Sequence, residues 1–117
     1  MNFDDAITQH SVWKTTLSVA IATGTELDVK AIASDRRCAL GRRLHGDAAA
    51  KNISQQDRAA CIGLHANFHK EAARVASLIN HERLDDASQL LREGSVFAEA
   101  SSDLVAMLRE LRLKSEP

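Results

Sequence analysis

Residues 54–80 read SQQDRAACIGLHANFHKEAARVASLIN, and within them Cys61, His65, Phe68, Ala72, Val75 and Ile79 recur at spacings of four, three, four, three and four. That rhythm turns one stripe of a 3.6-residue helix toward a single neighbour, as in the seam of a helical bundle. Ser54, three residues ahead of Asp57, resembles a capping box and opens the helix. The pattern runs to about Asn80 and gives way to a short turn near His81. The seam is apolar except for a histidine, and that exception carries the functional reading.

Working outward, the flanking segments repeat the helical pattern. Upstream, residues of roughly 3 to 22 place Phe3, Ile7, His10, Leu17 and Ile21 on one face, with Trp13 one turn after His10, and Gly24 ends the helix. Between the two, ELDVKAIASDRRCALGRRLHG reads as one or two short helices. The second is expected to open at Ser34 or Asp35 as N-cap, to carry Cys38 in its first turns, and to close at Gly46 in the C′ position. Downstream, residues from about 83 to 113 repeat Leu90, Phe97, Leu104 and Leu111 every seven positions, interrupted only by Gly94. Three long helices and a short helical crossover that carries the cysteine predict an all-α, antiparallel four-helix bundle.

Composition supports that class and excludes others. The sole proline is the last residue, tyrosine is absent, and no alternating β-rich run competes with the helices. At 117 residues the chain suits one domain, 1–117, with one core and one function. Lys plus Arg number 15 against 16 Asp plus Glu, so the electrostatic footprint of a nucleic-acid or membrane-surface binder is missing. The N-terminal MNFDDAITQH is acidic where a secretory signal is basic then apolar, and LVAML at 104–108 is far too short to cross a membrane. A cytoplasmic location is therefore expected, in which Cys38 and Cys61 stay reduced and suit metal or redox chemistry better than a structural disulfide.

His65 and His69 form HxxxH, a spacing that puts both rings on one helix face and close enough to share a metal ion. This spacing alone is unspecific. His10 adds weight, because a hydrogen-bonding ring in the middle of an apolar stripe must find a partner when buried; a backbone carbonyl or a carboxylate would serve any one such histidine. If Cys38 joins the three inward histidines, three imidazoles and a thiolate complete a tetrahedral shell suited to zinc. A closed shell leaves no open position for water or substrate, which points to structural or sensory zinc and to a protein that is not an enzyme. The bound thiolate keeps lone pairs that oxidants attack, so one residue can serve both zinc binding and redox sensing.

The sequence HSVW at 10–13, Cys38 within CALGRRL at 38–44, and HANFH at 65–69 together resemble the chemoreceptor zinc-binding domain family, in order and spacing across nearly the whole chain. The resemblance implies zinc held by His10, Cys38, His65 and His69, and a helical bundle that commonly forms homodimers. It also implies attachment to a signalling output, a bacterial chemoreceptor or a diguanylate cyclase of cyclic-di-GMP signalling, tuned by zinc or by oxidation of the cysteine by hypochlorous acid. One position departs from the family: Arg43 stands where an aromatic residue is usual, so Cys38 is expected to be less covered.

Other residues have plainer readings. Cys61 is expected as a packed core cysteine, and His45 and His81 as helix-end residues rather than ligands. Trp13 is expected to pack the core beside His10. The arginines Arg36, Arg37, Arg42 and Arg43 either tune Cys38 or form a solvated face. Glu71, Glu82 and Asp103 are expected at the surface, one of them able to accept the second ring proton of a ligand histidine. Two rival functions remain open: a metal-free helical interaction module, and a haemerythrin-like iron protein, which requires bridging carboxylates not evident beside His10 or His65.

Overall fold

The computed structural model describes residues 3–46 and 53–115. Among them seven helices form: α1 (Phe3–Ser11), α2 (Trp13–Thr23), α3 (Val29–Ala33), α4 (Ala39–His45), α5 (Gln55–Asn80), α6 (Leu84–Leu90) and α7 (Val96–Ser115), with no strand. The fold is an all-α helical bundle. Its spine is α5, whose 26 residues span about 39 Å at 1.5 Å per residue. Every member of the seam named above is buried: Cys61, His65, Phe68, Ala72, Val75 and Ile79. Ser54 caps this helix by accepting a hydrogen bond from the Asp57 amide at 3.0 Å. The Asp57 carboxylate bonds Lys114 instead of closing the reciprocal half of a capping box.

Four residue pairs set the directions of the elements. Asp4 meets Arg112 and Asp57 meets Lys114, so the starts of α1 and α5 both lie beside the end of α7. Asn80 clasps Leu27, its side chain accepting from the Leu27 amide at 2.8 Å and donating to the Leu27 carbonyl at 2.7 Å, which joins the far end of the first rod to the far end of α5. Arg58 donates to the Leu44 carbonyl at 2.6 Å, which brings the end of α4 back to the start of α5. The order is thus up through α1 and α2, down through α3 and α4, up through α5, and down through α6 and α7. The second of these four passes is the crossover, made of two short helices rather than one long one.

Three boundaries differ from expectation. The first rod is broken at Val12 into α1 and α2; Gly24 ends it in the left-handed region at φ 67°, as its lack of a side chain permits. The downstream segment is likewise two helices, separated by a turn in which Gly94 takes φ 82°, and the turn shifts the register so that Leu91, rather than Leu90, is the buried residue. Phe97, Leu104 and Leu111 keep their core positions. In the crossover, neither Ser34 nor Asp35 caps the second short helix. Asp28 caps α3, and Cys38 itself is the N-cap of α4, with its sulfur accepting from the Gly41 amide at 3.4 Å. Gly46 does end α4, but in an extended conformation at φ −92°, so it does not use the left-handed freedom of glycine.

Gly41 is where the crossover leaves no room. A β-carbon built there would stand 1.6 Å from the Asp35 carbonyl oxygen and 2.7 Å from its carbon, both rigid backbone atoms. The turn 35–38 and α4 interlock through this absence of a side chain, which holds Cys38 at a defined place over α5. Replacing Gly41 by alanine is expected to cost about 2–4 kcal/mol of stability in urea unfolding, since backbone rather than a pliable side chain must move. Alanine at Gly63, whose position is open, is expected to be neutral or mildly stabilising by the same measurement.

Candidate metal centre

The elements just described deliver four side chains to one point. His10 comes from the last turn of α1 and is buried; His65 and His69 come from successive turns of α5 and are buried; Cys38, half-buried, comes from the N-cap of α4. Cys38 Sγ lies 3.1 Å from His65 Nε2, which lies 3.0 Å from His69 Nε2. One donor atom from each of His10, Cys38, His65 and His69 falls within 4.8 Å of the others. Around a tetrahedral ion at ordinary Zn–N and Zn–S lengths, neighbouring donors stand about 3.3–3.8 Å apart. The observed separations bracket that spacing, so the four residues form a buried cluster able to hold a metal ion. All four positions singled out from sequence are brought together.

Backbone carbonyls prepare two of the rings. His10 Nδ1 donates to the Ala6 carbonyl at 2.7 Å and His69 Nδ1 donates to the Ile32 carbonyl at 2.8 Å. A carbonyl oxygen has no proton to give, so both rings carry hydrogen on Nδ1 and a lone pair on Nε2. The carboxylates expected to take this role do not: Glu82 and Asp103 are exposed, and Glu71, expected at the surface, is buried and pairs with Arg74 at 3.2 Å. The i−4 carbonyl of α1 and the carbonyl of the fourth residue of α3, Ile32, were not legible as acceptors, because main-chain groups carry no residue signature. His65 Nδ1, by contrast, is buried with no hydrogen-bond partner. A buried polar atom left without a partner costs about 1–3 kcal/mol.

Burial favours the neutral form of His10 and His65. His10 is pushed below the ordinary histidine range first by burial and further by the charge of His69, with the Ala6 carbonyl working the other way. His65 is pushed down to about 3, first by burial and then by His69 and His10, while Asp35 opposes the shift. The rings crowd one another, with centroids 4.5 Å apart at His65–His69 and 5.1 Å apart at His10–His65.

Two surface clefts, of ≈ 370 Å³ and ≈ 260 Å³, reach the cluster on Cys38 and His69, and Trp13 lines both. They give an ion or a chelator a path to the donors. Trp13 is half-buried against the core, as expected for the ring next to His10. Arg43, at the position where an aromatic residue was expected, stacks its guanidinium over Phe3 at the start of α1, 4.6 Å from the ring centroid, a cation–π contact. Arg36, Arg37 and Arg42 are exposed, and Arg37 also lines the smaller cleft. His81 donates Nδ1–H to the Ser77 carbonyl at 2.7 Å at the end of α5, a capping role. No family model, curated protein or solved structure matches the chain.

Cys61 stays out of the cluster. It is fully buried in the core, and burial raises its thiol to about 11. Because the folded-state value lies above the ordinary thiol value of 9.0, this group contributes stability that is present below pH 9.0 and is lost as pH rises toward 11. Iodoacetamide at mildly alkaline pH is expected to label the folded, chelator-treated protein at Cys38 alone, and both cysteines only in urea. Labelling of Cys61 in the folded state would contradict its burial.

Proposed function

We propose that this chain is a zinc-binding sensory or regulatory domain of bacterial signalling, with His10, Cys38, His65 and His69 as the ligands of one zinc ion and no catalytic role. The observation that carries the reading is the convergence of three imidazole nitrogens and one thiol within 4.8 Å, on rings whose opposite nitrogens are tied to backbone at His10 and His69. Mixed nitrogen and sulfur donors in a tetrahedral set favour zinc over magnesium or calcium, which take oxygen ligands. Bound there, zinc would supply a cross-link and keep the Cys38 sulfur as thiolate. The residues do the rest. His10 fastens the end of α1, Cys38 the start of α4, and the His65–His69 pair the middle of α5, so occupancy bears on three of the four passes of the bundle at once.

A shell of four protein ligands supports regulation rather than hydrolysis, since no position remains for an activated water. The cluster contains no carboxylate, which speaks against the bridged di-iron centre of a haemerythrin-like protein. The signalling part of the proposal rests on the resemblance of HSVW, CALGRRL and HANFH to the chemoreceptor zinc-binding domain family. With it come a homodimer, a receptor or diguanylate cyclase as output, and a Cys38 thiolate that answers zinc supply or an oxidant such as hypochlorous acid. The access clefts beside Trp13 are compatible with either signal.

Native and elemental mass spectrometry of the untagged protein is expected to find about one zinc per chain, with occupancy reduced in both Cys38→Ser and His69→Ala. Zinc that binds only the folded state stabilises it by mass action, so chelation should lower the melting temperature of the wild type and leave that of Cys38→Ser nearly unchanged. A folded protein that carries no metal, or whose occupancy ignores both substitutions, would end the zinc reading and leave a metal-free helical interaction module.

A further inference from the structure

Cys38 is the one member of the cluster that is half-buried rather than buried, and two clefts reach it. They share Trp13, Cys38 and His69 and differ in the rest of their walls. The wider, of ≈ 370 Å³, is completed by His10 and by the uncharged side chains of Gln9, Val12 and Thr16. The narrower, of ≈ 260 Å³, is completed by Ala31, Ile32, Ser34 and Arg37. Among the described residues no Asp or Glu lines either cleft, and Arg37 is the sole Lys or Arg on both. The other arginines of the crossover point elsewhere: Arg43 lies over Phe3, and Arg36 and Arg42 line neither cleft. The acidic side chain nearest in sequence, Asp35, is turned to His45 Nε2 at 3.6 Å, and Arg37 forms no ion pair among the described residues.

We propose that Arg37 makes the narrower cleft a selective entry for small anions, so that Cys38 meets anionic electrophiles ahead of neutral ones of the same size. The inference deepens the sensor reading above by naming the charge class of the molecule that reaches the thiol, and its test requires no metal. A guanidinium keeps its charge at any working pH, and an unpaired one directs its field at whatever enters the cleft beside it. Arg37 and Cys38 are consecutive, their Cα atoms about 3.8 Å apart, so charge and thiol flank the cleft at short range. A thiolate repels an incoming anion, and a cation on the same wall offsets that repulsion. Because Arg37 is exposed, its field passes largely through water. One unit charge about 5 Å from an anion in water still raises the local anion concentration about threefold to fivefold. The wider cleft has no such charge and admits neutral and anionic molecules alike.

The test compares the rates of Cys38 alkylation by iodoacetate and by iodoacetamide, which differ in a carboxylate against an amide. It uses the full chain treated with chelator, with folding verified by circular dichroism and the adduct assigned to Cys38 by peptide mass mapping. In both reactions the thiolate electron pair forms a C–S bond to the methylene carbon, the C–I bond breaks and iodide leaves. The ratio of the two rates therefore cancels any change in thiolate fraction and isolates the charge of the reagent. Arg37→Gln is expected to lower the iodoacetate-to-iodoacetamide ratio about threefold to fivefold at low salt. Arg37→Lys should keep the wild-type ratio, Arg36→Gln should leave it unchanged, and salt at about 1 M should bring the wild type toward Arg37→Gln. An unchanged ratio in Arg37→Gln, an equal fall in Arg36→Gln, or an equal fall in Arg37→Lys overturns the proposal, while zinc uptake measured on the same proteins stands or falls separately. A chain that takes up no zinc yet shows the expected ratios ends the zinc reading alone.

Discussion

The organisation of this protein turns on three imidazole rings and a thiol buried together in a bundle that is otherwise apolar. Imidazole nitrogens removed from water need partners, and four donors facing one another at 3.0–4.8 Å cannot satisfy each other fully. The chain meets part of the demand with its own backbone, through the carbonyls of Ala6 and Ile32, while His65 Nδ1 stays without a partner. The inward nitrogens and the thiol are left converging on a common point. A core packed for stability alone would place leucine or phenylalanine there, so the polar centre marks the place where the fold serves something besides its own cohesion.

Everything that positions this centre refers to α5. Its seam supplies His65 and His69 together with Phe68, whose ring packs edge-on against His10 with centroids 5.3 Å apart. The first rod and the crossover are each tied to the same helix, by the Asn80–Leu27 clasp at one end and the Arg58–Leu44 bond at the other. The crossover is the weaker partner in length, five and seven residues of helix, and it achieves a fixed place through close backbone contact at Gly41 and capping by Cys38 rather than through a long apolar face. A side chain on a short capping turn is held less by packing than one on α5, which makes Cys38 the member of the cluster whose position depends most on its neighbours.

Sequence reading was most accurate where periodicity is strongest. The extent and inward face of α5 follow from its seam, and His10 is legible because it interrupts an apolar stripe. It was less accurate at the crossover, where the rule for caps favoured Ser34 and Asp35, yet the close fit of Gly41 to the Asp35 carbonyl delayed the helix until Cys38 could cap it. Glu71 was misread for a related reason: a glutamate on a helix facing neighbours on several sides can be covered while Arg74 neutralises it. The heptad through Leu90 failed because the turn around Gly94 restarts the helix in a new register.

By itself, then, the sequence determined the helical class, the long central helix, and the inward direction of His10, His65 and His69, because those properties are written in residue type and in a 3.6-residue period that local geometry enforces. Only the tertiary structure decided that Cys38 meets them, that the acceptors behind two rings are main-chain carbonyls, and that the outer nitrogen of the third ring has no hydrogen-bond partner. Those relations join residues tens of positions apart, or atoms common to every residue, and no spacing rule along one strand of sequence can encode a contact that exists only once the crossover has folded back on α5.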